Sequence, residues 1–470
     1  MRRLLLLLPS LALGCVALNA KYEQSGTEGA EGSADATSQG ATSEPSGTSH
    51  GSVGTSLTST GSGSSGIVPD DKVLFVDERW EGEFGEALEH EDLHWDEGGV
   101  MLVEGAAGAV LESRIFDAGG PVRWSSVRWQ PRGPYLLPLD LDAAPYDQGD
   151  TSLEALQLLL HLDEPSRDDG DPVTDALGER PGVWRGTATT AEAGVFARAL
   201  SHDDTELVSR IDFENAVEPG LGDFTWTMWF RNEGCQAGPT LIALDAPNNQ
   251  AAAGTVLAFM ACGNFASNCP DNSPGHATVQ MNHVGGQLVR ACSETLINDG
   301  SWHHLAIRRT VADQEQQLDL FVDGRLEDTT VSDTIVDVSV HEQAMSPETF
   351  TIAGGNAAQF PGPGTYDEVA LWNRGLQDRE VENLYNRGVR IARFQVRACD
   401  TADCADSDFV GPGADLDGGF LDPGTNAGHV TPLEPYDLHG RYFQYRFQLR
   451  RPVGVESPTI ESVEVVGYRE

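Results

Sequence analysis

Lysine is all but missing from this chain: Lys21 and Lys72 are the only two among 470 residues. Basic residues of both kinds number 30 against 73 acidic ones, for a formal charge of −43. A field of that sign repels phosphate backbones and anionic headgroups, so nucleic acid is excluded as a partner and cations are the favoured small ligands. Cys-x-x-Cys pairs are absent, which removes the usual zinc spacings. Gly-x-Ser-x-Gly is absent outside the low-complexity stretch before Ile67, which removes the nucleophile elbow of serine hydrolases. Between Tyr22 and Gly66 there is no aromatic residue and almost no aliphatic one.

What is present begins with Met1-Arg2-Arg3, then Leu4 to Leu8, Pro9, Ser10 and Leu11 to Gly14. A charged start, a short apolar run and a small-residue end make an export signal, residues 1–14, too short to span a bilayer at about ten apolar residues. Ala12-Leu13-Gly14-Cys15 resembles a bacterial lipobox, although Leu13 and Ala12 stand in the reverse of the commonest order. That resemblance implies cleavage after Gly14 and acylation of Cys15, palmitate included, with Val16 pointing to the outer membrane or cell surface. Loss of Arg2 and Arg3 leaves 28 basic residues against 73 acidic ones, a formal charge of −45. Residues 15–66, rich in Gly, Ser and Thr, have nothing from which to build a core and read as a disordered tether. As a flexible coil, residues 21–66 would reach roughly 35–40 Å.

Beyond Gly66 the signals are those of strands. Val73 to Val76, Ala109 to Phe116 and Val122 to Trp129 come first; in the last, Val122, Trp124 and Ser126 fall on one face. Prolines 131, 134 and 138 end the regular pattern. Matching strands appear only at the far end, in Ile391 to Ala398, Tyr442 to Leu449 and Thr459 to Tyr468. Neither flank is large enough for a core of its own, so residues 67–150 plus 389–470 are expected to form one discontinuous β-sandwich, interrupted by an insertion at 151–388.

The insertion carries many short strands separated by Gly, Asn and Pro, among them Leu156 to Leu162, Asp223 to Arg231, Ser301 to Ile307 and Leu318 to Val322. The pattern predicts an antiparallel sandwich or jelly roll. Phe224, Trp226, Met228 and Phe230 should point inward, and Asp323-Gly324 should turn a hairpin into a strand from Arg325 to Thr330. A helix is expected over Asp378 to Tyr385, capped by Asp378.

Phe224-Thr225-Trp226-Thr227-Met228-Trp229-Phe230, Trp302-His303-His304-Leu305-Ala306, Leu320-Phe321-Val322-Asp323-Gly324 and Tyr366-Asp367-Glu368-Val369-Ala370-Leu371-Trp372-Asn373-Arg374-Gly375-Leu376, in that order, resemble the laminin G-like jelly roll of the concanavalin A-like superfamily. The resemblance covers about half the chain. It implies a two-sheet sandwich used for binding glycans or proteins, often with structural calcium, and assigns Asp175 and Asp367 as candidate ligands of that ion. Asp203 and Asp204 are weaker candidates. Glycanases of the same superfamily place two carboxylates on one strand face as Glu-x-Asp-x-x-Glu; that spacing is missing, and Asp367 and Glu368, being adjacent, are expected to diverge. His303 and His304 are read as scaffold rather than chemistry. Six cysteines remain after Cys15, and proximity favours Cys262–Cys269 and Cys399–Cys404, leaving Cys235–Cys292. The expected protein is therefore a lipid-anchored surface lipoprotein with a non-catalytic module for glycan or protein ligands. A structural envelope protein and a divergent glycan-active enzyme are the alternatives.

Overall fold

The structure, a computed structural model, describes residues 71–470 except 79–82, 89, 97, 142–150, 188, 203–208, 214–221, 235–239, 246–254, 262–274, 283–287, 313–314, 328–348, 355–362 and 413–428. The chain divides into two units, Met1–Gly66 and Ile67–Glu470, and all of the described residues belong to the second. The export signal, Cys15 and the tether lie outside the described residues. Among the described residues no helix is long and apolar enough to cross a membrane.

The fold is all β, built of antiparallel sheets. One nine-stranded sheet takes its strands from both ends of the unit. Its spine is the long strand Phe116–Pro131, which pairs with Thr459–Arg469 along most of its length and with His439–Arg450 near its start. Residues of these strands share one apolar core. Phe394 of strand Ile391–Cys399 stacks on Trp129 with centroids 4.3 Å apart, and both are fully buried. Burying side chains of this size contributes roughly 1.5–3 kcal/mol each.

Two sequence expectations change here. The run 109–116 is not one strand but two, Gly108–Glu112 and the start of Phe116–Pro131. In the spine, Val122 and Trp124 are buried, but so are Val127 and Trp129, which have the opposite parity. An irregularity in the ladder explains this: Val466 pairs with Ser126 and Gly467 with Trp124, so Ser125 is the extra residue. Ser126 therefore leaves the core face that strict alternation gives it.

Residues 156–372 contribute two eight-stranded sheets. The front sheet runs from Arg325–Leu326 through Glu315–Val322, Asp299–Ala312, Phe224–Glu233, Gly364–Trp372 and Arg198–His202 to Thr190–Ala193, with Leu156–Leu160 also paired to Gly364–Trp372. The back sheet runs from Leu288–Leu296 through His276–Asn282, Thr255–Ala261, Thr240–Asp245, Thr349–Ile352, Arg210–Phe213 and Gly182–Arg185 to Pro172–Val173. Between them lies one apolar core, to which Phe224, Trp226, Met228 and Phe230 all contribute from one strand face, as the alternation predicts. Trp226 meets Phe350 of the back sheet edge-on, with centroids 6.0 Å apart.

The hairpin turn has both Asp323 (φ +52°) and Gly324 (φ +74°) in the left-handed region, the geometry that Asp-Gly favours. Its return strand is Arg325–Leu326; residues 328–330 lie outside the described residues. The one α-helix among the described residues, Asp378–Val389, is a turn longer than expected. Its N-cap is Gln377 rather than Asp378, and Glu380 reaches back to accept the Gln377 N–H at 2.9 Å. Val381 and Leu384 pack on Ala306, Phe321, Ala370 and Trp372, the outward-facing residues of the front sheet. Leu139, from the segment after the spine, joins that second apolar layer and is 3% exposed.

Candidate functional site

The front sheet has an inner face against the core and an outer face, and the outer face is divided. Its Trp372 end is covered by the helix and by Leu139. Arg387 fastens that covering segment, donating from Nε to the Leu137 carbonyl at 2.7 Å and from Nη2 to the Pro138 carbonyl at 3.1 Å. Beneath the cover lie Asp367 and Glu368.

These consecutive carboxyls both reach the outer side. Trp229 pairs with Asp367 and Thr227 with Ala370, so Glu368 and Val369 together oppose Met228. Glu368 adopts φ +47°, the left-handed geometry of a bulge. Tyr366 and Val369 face the core, while Glu368 meets Thr227, Trp229, His304 and Leu384 around a void of about 10 Å³. The expectation that the pair diverges is thus overturned by one backbone irregularity.

Asp367 is fully buried. Its Oδ2 accepts the N–H groups of Val195 at 2.7 Å and Phe196 at 3.1 Å, and its Oδ1 has no hydrogen-bond partner among the described residues. Burial, helped by the neighbouring Glu368, pushes its carboxyl up to about 9, so it is neutral at pH 7. Close approach fixes its neighbour too: a Cβ on Gly194 would sit 2.6 Å from Asp367 Oδ2 and 2.5 Å from the Arg198 carbonyl oxygen. Glu368 is raised by burial, against the pull of His161, whose Nδ1 lies 2.6 Å from its Oε1. His161 is lowered by burial, but the bond and charge of Glu368 outweigh this and leave it raised.

Asp175 has a different task. Its Oδ1 accepts the Leu159 and Leu177 N–H groups at 3.2 and 3.1 Å, and its Oδ2 those of Glu179 and Arg180 at 3.2 and 2.9 Å. Four donors aimed at one carboxylate tie a turn to a strand and leave it poorly placed to ligate a cation. Among the described residues no three acidic, His or Cys side chains are grouped to hold a metal ion, and Asp175 and Asp367 each accept backbone N–H groups. Asp203 and Asp204 lie outside the described residues.

His303 and His304 diverge as adjacent strand residues should. His303 lies between Asp323 Oδ2, 3.0 Å from Nδ1, and Asp299 Oδ1, 3.2 Å from Nε2. Burial lowers it, but these two carboxylates win and hold it raised. His304 is buried beneath Trp229, and burial pushes it down to about 4. The first ties the hairpin turn to its neighbouring strand, and the second belongs to the sheet packing.

Cys399 and Cys404 are bonded to each other. Cys292 is disulfide-bonded as well, and its proposed partner Cys235 lies outside the described residues, as do Cys262 and Cys269.

At the Thr365 end the outer face is open, and here sequence reasoning missed a feature. A pocket of about 500 Å³ is lined by Glu192, Ser201, Arg231, Asn232, Glu233 and Thr365, among others. Register assembles it: Thr365 pairs with Ser201 on one side and with Arg231 on the other, and Arg231 pairs in turn with Trp302. The Ser201 and Thr365 hydroxyls are 3.1 Å apart, and Asn232 Nδ2 donates to the Pro363 carbonyl at 3.4 Å. The Arg231 guanidinium is ion-paired with Glu192 and lies 5.0 Å from the Trp302 ring centroid. Each side chain is ordinary in sequence; only the alignment of five strands brings them together.

Residues 208–382 match the family model of the concanavalin A-like lectin/glucanases superfamily, so the two-sheet sandwich is the fold that the motifs imply. No curated protein matches the chain. Among solved structures it is similar to the binding domain of Paraclostridial Mosquitocidal Protein 1, with 14% identity over 50% of this chain and 52% of that one and a TM-score of 0.34. It is also similar to Trypanosoma rangeli sialidase, with 14% identity over 53% of this chain and 36% of that one and a TM-score of 0.34. A third is domain 4 of AbnA, a GH43 extracellular arabinanase from Geobacillus stearothermophilus solved with arabinotriose, with 15% identity over 49% of this chain and 98% of that one and a TM-score of 0.33. The chain spans about half the length of the first of these and less of the second.

Proposed function

We propose that this is an exported, lipid-anchored surface protein whose jelly roll, residues 151–388, is a non-catalytic recognition module. The discontinuous host, 67–150 plus 389–470, is part of the proposal and is supported by the sheet and core that the two flanks share. The observation that carries the reading is the division of the front sheet's outer face. Of the two carboxyls resembling a hydrolytic pair, Glu368 is shut beneath Leu139 and the helix at a void of about 10 Å³, too small for a sugar ring, and Asp367 is buried and held by backbone N–H groups, while the open end offers a polar pocket in which Glu192 is already ion-paired with Arg231.

The test is to present the full-length protein to glycan and protein arrays and then assay whatever it retains for cleavage. Binding without product release is the expected result. Cleavage that persists in Glu368→Gln would still overturn the non-catalytic reading, since it would locate chemistry elsewhere on the chain. Anchoring is tested separately: Cys15→Ser should abolish palmitate incorporation, and label retained by that variant would remove the anchor.

A further inference from the structure

The pocket at the Thr365 end has a chemistry that narrows its ligand. Arg231 is the only Arg or Lys among the described lining residues, and Glu192 already occupies that guanidinium, while Glu233 adds a second carboxylate; His202, also in the lining, is 6% exposed. An anionic ligand would have to displace Glu192 and approach a chain of formal charge −43. Phosphate, sulfate and acidic sugars are therefore disfavoured. Beside the Glu233 carboxylate, what remains is a set of uncharged groups and one ion pair that neutralises itself. Ser201 and Thr365 donate and accept, Asn232 offers an amide and Arg231 holds donors in a fixed plane.

Spacing follows from the sheet. Residues on neighbouring strands project side by side about 4.8 Å apart, so donors and acceptors form a row rather than converging on one atom. A row of that kind suits a ligand whose own polar groups are many, uncharged and regularly spaced along a ring. Sugar hydroxyls have that character, each able to donate and accept. At one end of the row the guanidinium lies 5.0 Å from the Trp302 ring centroid. At about 500 Å³ the pocket falls within the roughly 300–1,000 Å³ of clefts that take small organic ligands, which fits a short saccharide segment rather than a folded protein surface.

We infer that this pocket binds a short, uncharged stretch of glycan, with Arg231, Thr365, Ser201 and Asn232 holding its hydroxyls. The inference rests on the reading of the jelly roll as a recognition module and adds the place and the class of ligand.

The experiment uses the full-length protein and titration calorimetry against two panels. Cellohexaose, xylohexaose, maltohexaose and arabinohexaose are the neutral probes; sialyllactose and tetragalacturonate are the acidic ones. Two variants accompany the parent: Thr365→Val, which replaces a hydroxyl by a methyl of the same size, and Arg231→Met. Arg441→Ala, on the other sheet, is the control. At least one neutral oligosaccharide should bind, and each pocket variant should weaken it tenfold or more with unchanged melting, while Arg441→Ala leaves it alone. If Arg231→Met does not fold, Thr365→Val decides. Preference for the acidic panel overturns the ligand class. Neutral binding that both variants leave intact overturns the site but spares the recognition reading. Capture of proteins alone on an array overturns the glycan assignment, and no capture from either array removes this inference and the recognition reading together.

Discussion

Asp367 and Glu368 are neighbours in sequence, and both point to the same side of the sheet. The left-handed backbone at Glu368, φ +47°, gives the strand one residue more than its partner, so the usual divergence of adjacent side chains is lost. Two adjacent carboxyls are thereby both buried, with His161 the ion-pair partner of one and two backbone N–H groups holding the other. The arrangement resembles a hydrolytic pair in composition but not in access. Its consequences are for stability and its dependence on pH.

Asp367→Asn should stabilise the jelly roll at neutral and alkaline pH. Burial raises the folded carboxyl from 3.8 to about 9, so the contribution of this group is full below 3.8 and is lost as pH rises through that window. At about 1.4 kcal/mol per unit, the roughly three units up to pH 7 correspond to a gain on the order of 4 kcal/mol as an upper bound. Asparagine keeps an oxygen for the Val195 and Phe196 N–H groups and stays neutral throughout. Urea unfolding of the parent and the variant at several pH values measures it; parallel profiles would show that Asp367 is ionised in the fold.

His161 and Glu368 should be energetically coupled. Replacing His161 by Ala leaves a carboxyl that is 7% exposed without its ion-pair partner, which should cost about 1.5–3 kcal/mol, toward the lower end because His161 itself is 30% exposed. Glu368→Gln in the same background should recover part of that loss, since a neutral amide does not need the imidazolium. A double-mutant cycle reads the coupling directly, and additive losses would mean that the 2.6 Å contact contributes nothing of its own.

Much of this architecture is legible in the sequence because alternation is a local signal. The strand Phe224–Glu233 shows its core face as Phe224, Trp226, Met228 and Phe230, and the Asp323-Gly324 turn names its own backbone type. The places that escape are those where one residue is added. Ser125 in the spine and Glu368 in the front sheet each reverse the parity of the residues beyond them, and neither is a glycine that would mark the irregularity. The Thr365 pocket escapes for another reason. Ser201, Arg231 and Thr365 are far apart in sequence and become neighbours only through register. Asp175 is the converse case: its acidic character is visible in the sequence, while the four N–H donors that occupy it are not.

The bond between Cys399 and Cys404 closes a loop with a sequence separation of 5. A short loop has little entropy to lose, so the chain-entropy relation gives about 2 kcal/mol for the double replacement by serine. The loss should appear in the transition that melts the nine-stranded sheet, since Cys399 ends a strand of that sheet. Melting of the double variant, with peptide mapping of the non-reduced parent, checks both the pairing and its worth. Free thiols at these positions in the parent would refute the bond.

His304 sets the acid side of the profile that Asp367 sets from the alkaline side. Burial depresses its folded value from 6.5 to about 4, so the fold keeps this ring neutral and loses stability as pH falls from 6.5 toward 4. Asp367 has the opposite slope across the same interval, one proton against one proton. Between about pH 4 and 6.5 these two slopes should cancel each other, and above 6.5 the decline due to Asp367 remains. His161 and His303, both raised, push the same way as Asp367, since their contribution is present below 6.5 and lost as pH rises through their folded values. A jelly roll that is most stable in mildly acidic solution is the expected result. His304→Leu should expose the Asp367 slope, so that stability falls with pH from about 4 upward. Asp367→Asn should expose that of His304, with stability rising up to about 6.5. If both variants keep the parent's profile, neither buried group titrates as its surroundings require, and the outer layer of the front sheet must admit water.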